Sequence, residues 1–363
     1  MGEAIRVALV GCGRISQIMH LPHLIELPGF EVVALCDVSK NRRQVLADRY
    51  AISETFEGVD GLLAASTVEF DAAVVATPSH THLDVAAPLL EDGVHLFMEK
   101  PLATTPEDGR QLVSMAQRSD HVCMIGYMKR FEPAFQRLRN ELDEVDRVDA
   151  VTVHDFDPAH DSIIDEVYDL VEADLPEEEV AASVERRQQK AMDAIGVSDP
   201  ALGDVYARKL DHLCHMVNIL HTVFGTDVDI DHVDVYGEGR CITATLRLSE
   251  GDVRCLLNAG YSRKQWFEEF LRLDTVTDTL TLEFQNPFLK NRPAQLVKRQ
   301  GEDTVRESKE TPSSGEAFKR ELRHFRTCID RNRPPRTGFR DAYRDLEFLV
   351  EVFRTAVSRD TLQ

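Results

Sequence analysis

Three residues in two short motifs have the types and spacing for proton transfer. Asp211 and His215 lie four residues apart in Asp211-His212-Leu213-Cys214-His215-Met216-Val217-Asn218, which places both on one face of a helix. A carboxylate beside an imidazole orients the ring and stabilises its protonated form, giving a base that works near neutral pH. Asn218 follows near the same face. Lys100, in Glu99-Lys100-Pro101, stands where an apolar run ends. Its ammonium can donate to a hydroxyl or carbonyl oxygen and favours a developing alkoxide. Plainer readings exist for each: lysines mostly sit in solvent, and a helix histidine can serve packing alone. His212 and His215, at i and i+3, would also suit a metal ion. No third or fourth ligand is evident nearby, so no metal is expected.

These groups need a scaffold, and the N-terminus supplies one. Ile5-Arg6-Val7-Ala8-Leu9-Val10 reads as a buried strand, followed by Gly11-Cys12-Gly13-Arg14-Ile15-Ser16 and a helical pattern to about Leu27. Gly11 allows a tight turn, and Gly13 lets backbone approach a pyrophosphate. Ser16 stands where the dinucleotide fingerprint prefers Gly or Ala. The helix start, with Arg14, Ile15 and Ser16, offers N–H groups and a positive dipole end to phosphate. A second strand, Val32–Cys36, ends in Asp37, placed to accept ribose hydroxyls. Asp37 favours NAD because it repels a 2′-phosphate, whereas Lys40, Arg42 and Arg43 follow closely and leave NADP open.

Strand and helix alternate through the first third of the chain. Strands are predicted at 71–76, 94–98 and 122–127, with helices between them, so a parallel doubly wound sheet is expected, with ligands at the carboxyl ends of its strands. Asp37, Thr77-Pro78 and Glu99-Lys100 all fall at such ends. The loop Thr77-Pro78-Ser79-His80-Thr81-His82 reads either as a capped strand-to-helix connection or as the lining of a nicotinamide crevice. After Tyr127 the pattern changes. A helix at 132–142 and a strand at 147–154 precede an anomalous stretch, residues 155–203. There 162–172 and 176–195 read as two charged helices, an insertion that is a solvated surface hairpin, a lid or a subunit contact. A helix over 206–224 leads into strands near 228–236, 241–248, 252–261, 267–273 and 279–284, parted by turns such as Glu238-Gly239 and Glu250-Gly251, the mark of an antiparallel meander. Residues 285–314 are expected to be loop-rich, and helices at 316–330 and 341–358 close the chain.

The 363 residues suffice for two domains. The expected division is 1–127, dinucleotide-binding, and 128–363, substrate-binding and oligomerising, with the last helix free to pack back on the first domain. Acidic residues exceed basic ones and the net charge is −21, which argues against nucleic acid or an anionic membrane as partner. The seven cysteines form no C-x-x-C pair. Cys36, Cys123 and Cys255 lie in apolar runs, as core residues do. The set suggests a reducing, cytoplasmic setting. No signal-peptide pattern and no apolar run of membrane-spanning length is seen.

Taken together, Gly11–Ser16, Ala76-Thr77-Pro78 with His82, Glu99-Lys100-Pro101, Gly126-Tyr127-Met128-Lys129-Arg130-Phe131-Glu132-Pro133, Asp211-x-x-x-His215-x-x-Asn218 and Thr337–Ala342 resemble the Gfo/Idh/MocA oxidoreductases. The resemblance implies an α/β protein with an N-terminal Rossmann domain and a C-terminal α/β domain whose large open sheet is mostly antiparallel and mediates homodimers or homotetramers. It implies NAD(P)-dependent hydride transfer at a secondary carbon of a sugar, cyclitol or related polyol. Lys100 matches the lysine of the family's E-K-P motif, and Asp211 and His215 its D-x-x-x-H pair. Gly11, Gly13, Arg14, Ile15, Ser16, Asp37, Thr77, Pro78, His82, Glu99 and Lys100 are then expected at the cofactor. Lys100, Tyr127, Arg130, Asp211 and His215 are expected at the substrate. Asn218 stands where many members carry Asp, the glycine-rich run before Asp211 is reduced to Leu202-Gly203-Asp204, and the insertion is extra. Two alternatives remain open: an NAD-dependent lyase or glycosidase that oxidises its substrate transiently, and a non-catalytic NAD-binding scaffold.

Overall fold

The computed structural model describes residues 3–158, 160–248, 253–301 and 303–358. Two compact units emerge. The first comprises 1–127, 168–207 and 318–346; the second comprises 128–167, 208–317 and 347–363. Two stretches that the sequence assigns to the C-terminal domain, 168–207 and 318–346, therefore cluster with the dinucleotide-binding region.

The first unit is built on six parallel strands: β1 (Ile5–Val10), β2 (Phe30–Cys36), β3 (Glu54–Phe56), β4 (Ala72–Val75), β5 (His95–Glu99) and β6 (Cys123–Gly126), in the order β3-β2-β1-β4-β5-β6. Leu9 pairs with Leu35 on one side and Val74 on the other. Val7, Ala8, Leu9 and all of β4 are fully buried, as expected of a parallel sheet covered on both faces. The strand order reverses between β1 and β4, and such a switch opens a crevice at the carboxyl ends. The helix expected over 14–27 is divided. A π-helical turn, Ser16–His20, precedes the α-helix Leu21–Glu26. Pro22 lies in the first turn of that α-helix; it has no N–H to donate, so the ladder is interrupted there.

The second unit carries β7 (Val148–Asp157), β8 (Val228–Tyr236), β9 (Cys241–Leu248), β10 (Val253–Tyr261), β11 (Glu268–Thr275), β12 (Asp278–Phe284), β13 (Gln295–Gln300) and β14 (Arg306–Glu310). Their order is β14-β13-β12-β11-β7-β10-β9-β8. All pairs are antiparallel except β7 with β10, which is parallel. The turn expected at Glu250-Gly251 lies outside the described residues.

Two sequence expectations are refined. Residues 285–314 are loop-rich, as expected, but they also hold two strands, β13 and β14, that extend the sheet. Their charged sequences hide a strand signal because the pairing is polar. Arg299 Nε donates to Glu307 at 2.9 Å, and Lys309 Nζ donates to Glu283 at 2.7 Å; charged side chains suit an exposed sheet edge. The helix expected over 162–172 ends at Val167. Residues 168–176 run without helical or strand structure into the helix Glu177–Ile195. No helix among the described residues is long and apolar enough to cross a membrane.

The core of the first unit is keyed by Phe97, fully buried on β5, with its ring edge-on to Phe325 at 5.7 Å and to His20 at 5.5 Å between centroids. Phe97→Ala is expected to cost about 3–5 kcal/mol of stability, measured by denaturant unfolding of the full chain.

Candidate active site

In the first unit the glycine turn follows β1 directly. Gly11 has φ +93°, and a Cβ built there would lie 2.6 Å from the Ala76 carbonyl oxygen. Only glycine accepts both conditions. At Gly13 nothing lies within 4 Å of such a Cβ, so its face is open to a ligand. Ser16 is fully buried and its hydroxyl donates to the Gly11 carbonyl. This side chain therefore braces the turn from inside instead of facing a phosphate, which accounts for its departure from Gly or Ala. Ile15 is half-buried and Arg14 exposed.

Asp37, half-buried, caps β2. Its Oδ2 accepts from the Cys12 backbone N–H at 2.6 Å and its Oδ1 from the Ser39 N–H at 2.8 Å, leaving each oxygen further acceptor capacity. An open glycine beside an anchored strand-end carboxylate fits the pyrophosphate and ribose of a dinucleotide.

At the end of β4, Thr77 and Pro78 are accessible, but His82 is not. It is fully buried, with Nε2 2.9 Å from the Thr77 carbonyl oxygen and Nδ1 3.2 Å from that of Leu102. His82 thus ties the loop after β4 to the loop after β5; the expectation that it touches cofactor is replaced by this bracing role. Thr81 Oγ1 lies 3.0 Å from Thr77 Oγ1 and 2.8 Å from the Pro78 carbonyl. The insertion helix Glu177–Ile195 holds the same loop: Lys190 Nζ donates to the His80 carbonyl and to Asp108, both at 2.8 Å. Burial and the cations Lys190, Arg186 and Arg187 push His80 down to about 4.

Glu99, at the end of β5, is also buried. Its Oε1 lies 2.6 Å from His20 Nε2, and its Oε2 accepts the Lys100 N–H at 3.2 Å. Burial alone would raise this carboxyl, but His20 and the Lys100 charge outweigh it and hold it below its ordinary range. Glu99 therefore anchors Lys100 rather than meeting the cofactor itself. Lys100 is half-buried. Glu321, buried nearby with both carboxyl oxygens lacking a hydrogen-bond partner, is held well above the ordinary range by burial and by the Glu99 charge. Tyr127, expected at the substrate, is only 1% exposed, and its side chain belongs to the core.

In the second unit the stretch that carries the expected Asp211–His215 pair is residues 208–224 of the helix Pro200–Phe224. Asp211 and His215 are both half-buried, one turn apart. Asn218 is buried, and Arg130 donates to its Oδ1 at 3.3 Å.

Between these residues and the sheet lies a buried charged nest that sequence reasoning missed. Asp155 and Asp157 alternate on β7, so both point to one face. Register places Glu269 of β11 beside Asp155, and Tyr261 of β10 beside Asp157. His212 Nε2 reaches Asp155 at 2.7 Å and Asp157 at 3.2 Å, and its ring stacks on Tyr261 at 5.0 Å. Burial disfavours a charged His212, but the two carboxylates outweigh it, and its affinity for a proton is raised. Lys209 donates to the Arg240 carbonyl at 2.6 Å and sits over the Tyr261 ring at 4.3 Å; burial pushes it down to about 8. Lys129 contacts Glu269, whose carboxyl burial raises above its ordinary range. Asp155, Asp157 and His212 are also the set of three among the described residues whose ligand atoms lie within 4.8 Å of one another. The imidazole already bridges both carboxylates as an ion pair, and the Lys209 charge acts on the same nest. The sequence signal available was the pair of acids two apart in His154-Asp155-Phe156-Asp157.

Two measurements probe this geometry. Gly11→Ala is expected to cost about 1–3 kcal/mol from backbone conformation alone, with the contact at Ala76 added, and to weaken NAD binding in titration calorimetry. Asp155→Asn should bring the His212 ring pKa down, read from histidine ring NMR signals across a pH series. Because the folded value is raised, the pair's stabilisation is fully present below about 6.5 and is lost as pH rises through the folded pKa. The variant's stability deficit should therefore be largest at acidic pH and shrink toward alkaline pH.

Comparison with known proteins places the geometry. Residues 5–127 match the model of the Gfo/Idh/MocA oxidoreductase family, NAD-binding Rossmann fold. The D-glucoside 3-dehydrogenase of Escherichia coli (strain K12) is 30% identical over 138 residues, covering 38% of this chain and 39% of that enzyme. The scyllo-inositol 2-dehydrogenase (NAD(+)) of Bacillus subtilis (strain 168) is 28% identical over 144 residues, covering 39% and 41%. The match thus spans about two fifths of the length of these curated relatives. Among solved structures, a 3-ketoreductase from Actinomadura kijaniata in complex with NADP and TDP-benzene superposes with a TM-score of 0.72 over 96% of both chains at 20% identity. The UDP-N-acetylglucosamine 3-dehydrogenase of Acidithiobacillus ferrooxidans does so at 0.71 over the full length of both, also at 20% identity; at such identity the likeness is one of fold. The open glycine turn after β1, the carboxylate capping β2 and the family match agree over the same residues, and residues 5–127 form an NAD-binding Rossmann fold similar to that of the Gfo/Idh/MocA oxidoreductases.

Proposed function

We propose that this protein is an NAD(P)-dependent oxidoreductase acting on a secondary hydroxyl or ketone of a sugar, cyclitol or related polyol. The observation that carries the reading is the position of Lys100: immediately after β5, beside the switch-point crevice of an NAD-binding sheet, held by a buried Glu99–His20 pair. Bound NAD(P) supplies a two-electron hydride acceptor or donor. The chain supplies the proton chemistry. In the oxidative direction His215 takes the hydroxyl proton, Asp211 orients the ring and stabilises the imidazolium, and the Lys100 ammonium stabilises the alkoxide oxygen. In reduction the proton travels back from His215 to the same oxygen.

His212, on the same helix as His215, is held by Asp155 and Asp157 of β7, and this nest fixes the turn that carries His215. Arg130, held by Asn218, is a candidate hydrogen-bond donor to substrate hydroxyls. The substrate class is supported by the named relatives, which include a glucoside and an inositol dehydrogenase. All seven cysteines are free, six of them buried, in keeping with a reducing, cytoplasmic setting; a homodimer or homotetramer follows from the family resemblance.

The test is a panel of sugars and inositols assayed by absorbance of the reduced cofactor. Lys100→Ala and His215→Ala should each lower kcat by about 10²–10⁴-fold while leaving the Kd for the nucleotide unchanged. Unaltered turnover in both variants overturns the assignment.

A further inference from the structure

The first part of the insertion crosses the sheet's dinucleotide edge. Residues 168–176 are tied to it at several points, all within the first unit. Gln17, which also donates to the Cys12 carbonyl at 3.0 Å, exchanges two hydrogen bonds with the Val171 backbone, at 2.8 and 3.1 Å. Arg42 Nε donates to the Val171 carbonyl at 3.2 Å, and Asn41 Nδ2 to the Glu172 carbonyl at 2.9 Å. Three residues along, Asp174 lies at the start of the helix Lys40–Tyr50. Its Oδ1 accepts from the Ser39 hydroxyl at 2.6 Å and from the Asn41 backbone N–H at 3.1 Å, and its own N–H donates to Ser39 Oγ at 3.3 Å.

The donors engaged here have a particular chemistry. Asp37 is placed at a ribose, and a dinucleotide with a 2′-phosphate needs donors and cations just beyond that acid. In this chain those groups are the Ser39 hydroxyl, the N–H groups opening an eleven-residue helix, and the guanidinium groups of Arg42 and Arg43. The Ser39 hydroxyl, the Asn41 and Arg42 N–H groups and one nitrogen of each guanidinium already have partners within the protein. Asp174 holds the hydroxyl and the Asn41 N–H. Arg42 is turned to Val171, and Arg43 donates to the carbonyls of Asp37 and Val38 at 2.8 and 3.1 Å. Asp174 is exposed, and the Ser39 hydroxyl followed by the Asn41 N–H keeps its carboxyl below its ordinary range, so it is ionised at neutral pH.

We propose that Asp174 is a built-in anion that occupies the donors a 2′-phosphate would use, and that with Asp37 it makes the protein selective for NAD over NADP. The inference rests on the dinucleotide reading of the first unit and assigns a specificity role to a residue more than a hundred positions away from the Rossmann fingerprint. A 2′-phosphate would have to displace Asp174 and then bear the repulsion of two nearby carboxylates.

Titration calorimetry of NAD⁺ and NADP⁺ into the full chain and into Asp174→Ala and Asp174→Asn tests this. The wild type is expected to bind NAD⁺ at least about tenfold tighter. Asp174→Ala should tighten NADP⁺ binding by about ten- to hundredfold, the range of a charged group's hydrogen bonds, with NAD⁺ affinity changed by less than about threefold. Asp174→Asn, which keeps an acceptor but loses the charge, should fall between. An unchanged NAD⁺/NADP⁺ ratio in Asp174→Ala, or equal gains for both nucleotides, overturns the proposal while leaving the dinucleotide reading intact. A wild type that prefers NADP⁺ overturns it as well. A wild type that binds neither nucleotide overturns both.

Discussion

The first unit depends on the close approach of two backbones. Where the sheet order reverses between β1 and β4, the Gly11 Cα lies so near the Ala76 carbonyl that no side chain fits between them. The end of β1 is bound to both its neighbours as well, the Ala76 N–H after β4 donating to the Val10 carbonyl at 2.8 Å and the Gly11 N–H to the Cys36 carbonyl of β2 at 2.7 Å. The turn must therefore leave the sheet at this point and expose Gly13. Everything said of the nucleotide follows from that constraint: an open glycine face, an acid one strand away, and two loops, after β4 and β5, that meet through His82.

Buried charge is the second theme, and it is handled differently at each place. Removing a charge from water is costly unless a partner and hydrogen bonds replace the solvent. Glu99 and His20 meet that demand as a pair, and the result is a rigid strand end that presents Lys100. Glu321 has no such partner and meets it by keeping its proton. In the second unit a sheet face gathers Asp155, Asp157 and Glu269, and three cations, His212, Lys209 and Lys129, sit among them. Burial of such a nest gives little stability, but it fixes the helix that carries Asp211 and His215 in one rotational setting.

The insertion unites separate parts of the nucleotide-binding edge. Its extended part is bound to Gln17, Ser39, Asn41 and Arg42, and its helix holds the loop after β4 through Lys190 and Ser183. Of the readings open to a charged hairpin, a freely solvated one does not describe it, because its backbone carbonyls and Asp174 are hydrogen-bonded to the Rossmann sheet's own connections.

Much of this was legible from the amino acids. Alternating apolar runs and helical patterns determined the parallel sheet, since buried strands of that kind need uninterrupted Val, Ala and Leu. The turn at Gly11–Gly13, Asp37 and Lys100 declared themselves by standing at strand ends, where local sequence and position coincide. The strands β13 and β14 were hidden because their partners, not their hydrophobicity, make them strands. The roles of Ser16, His82, Glu99 and Tyr127 could not be read either. Each is of a type that suits a ligand, and only burial decides which way the side chain turns. The nest around His212 and the grip of Asp174 on Ser39 lie furthest from the sequence. They join residues 57 and 135 positions apart, and no local pattern records a contact that exists only once two distant segments have been folded against one sheet.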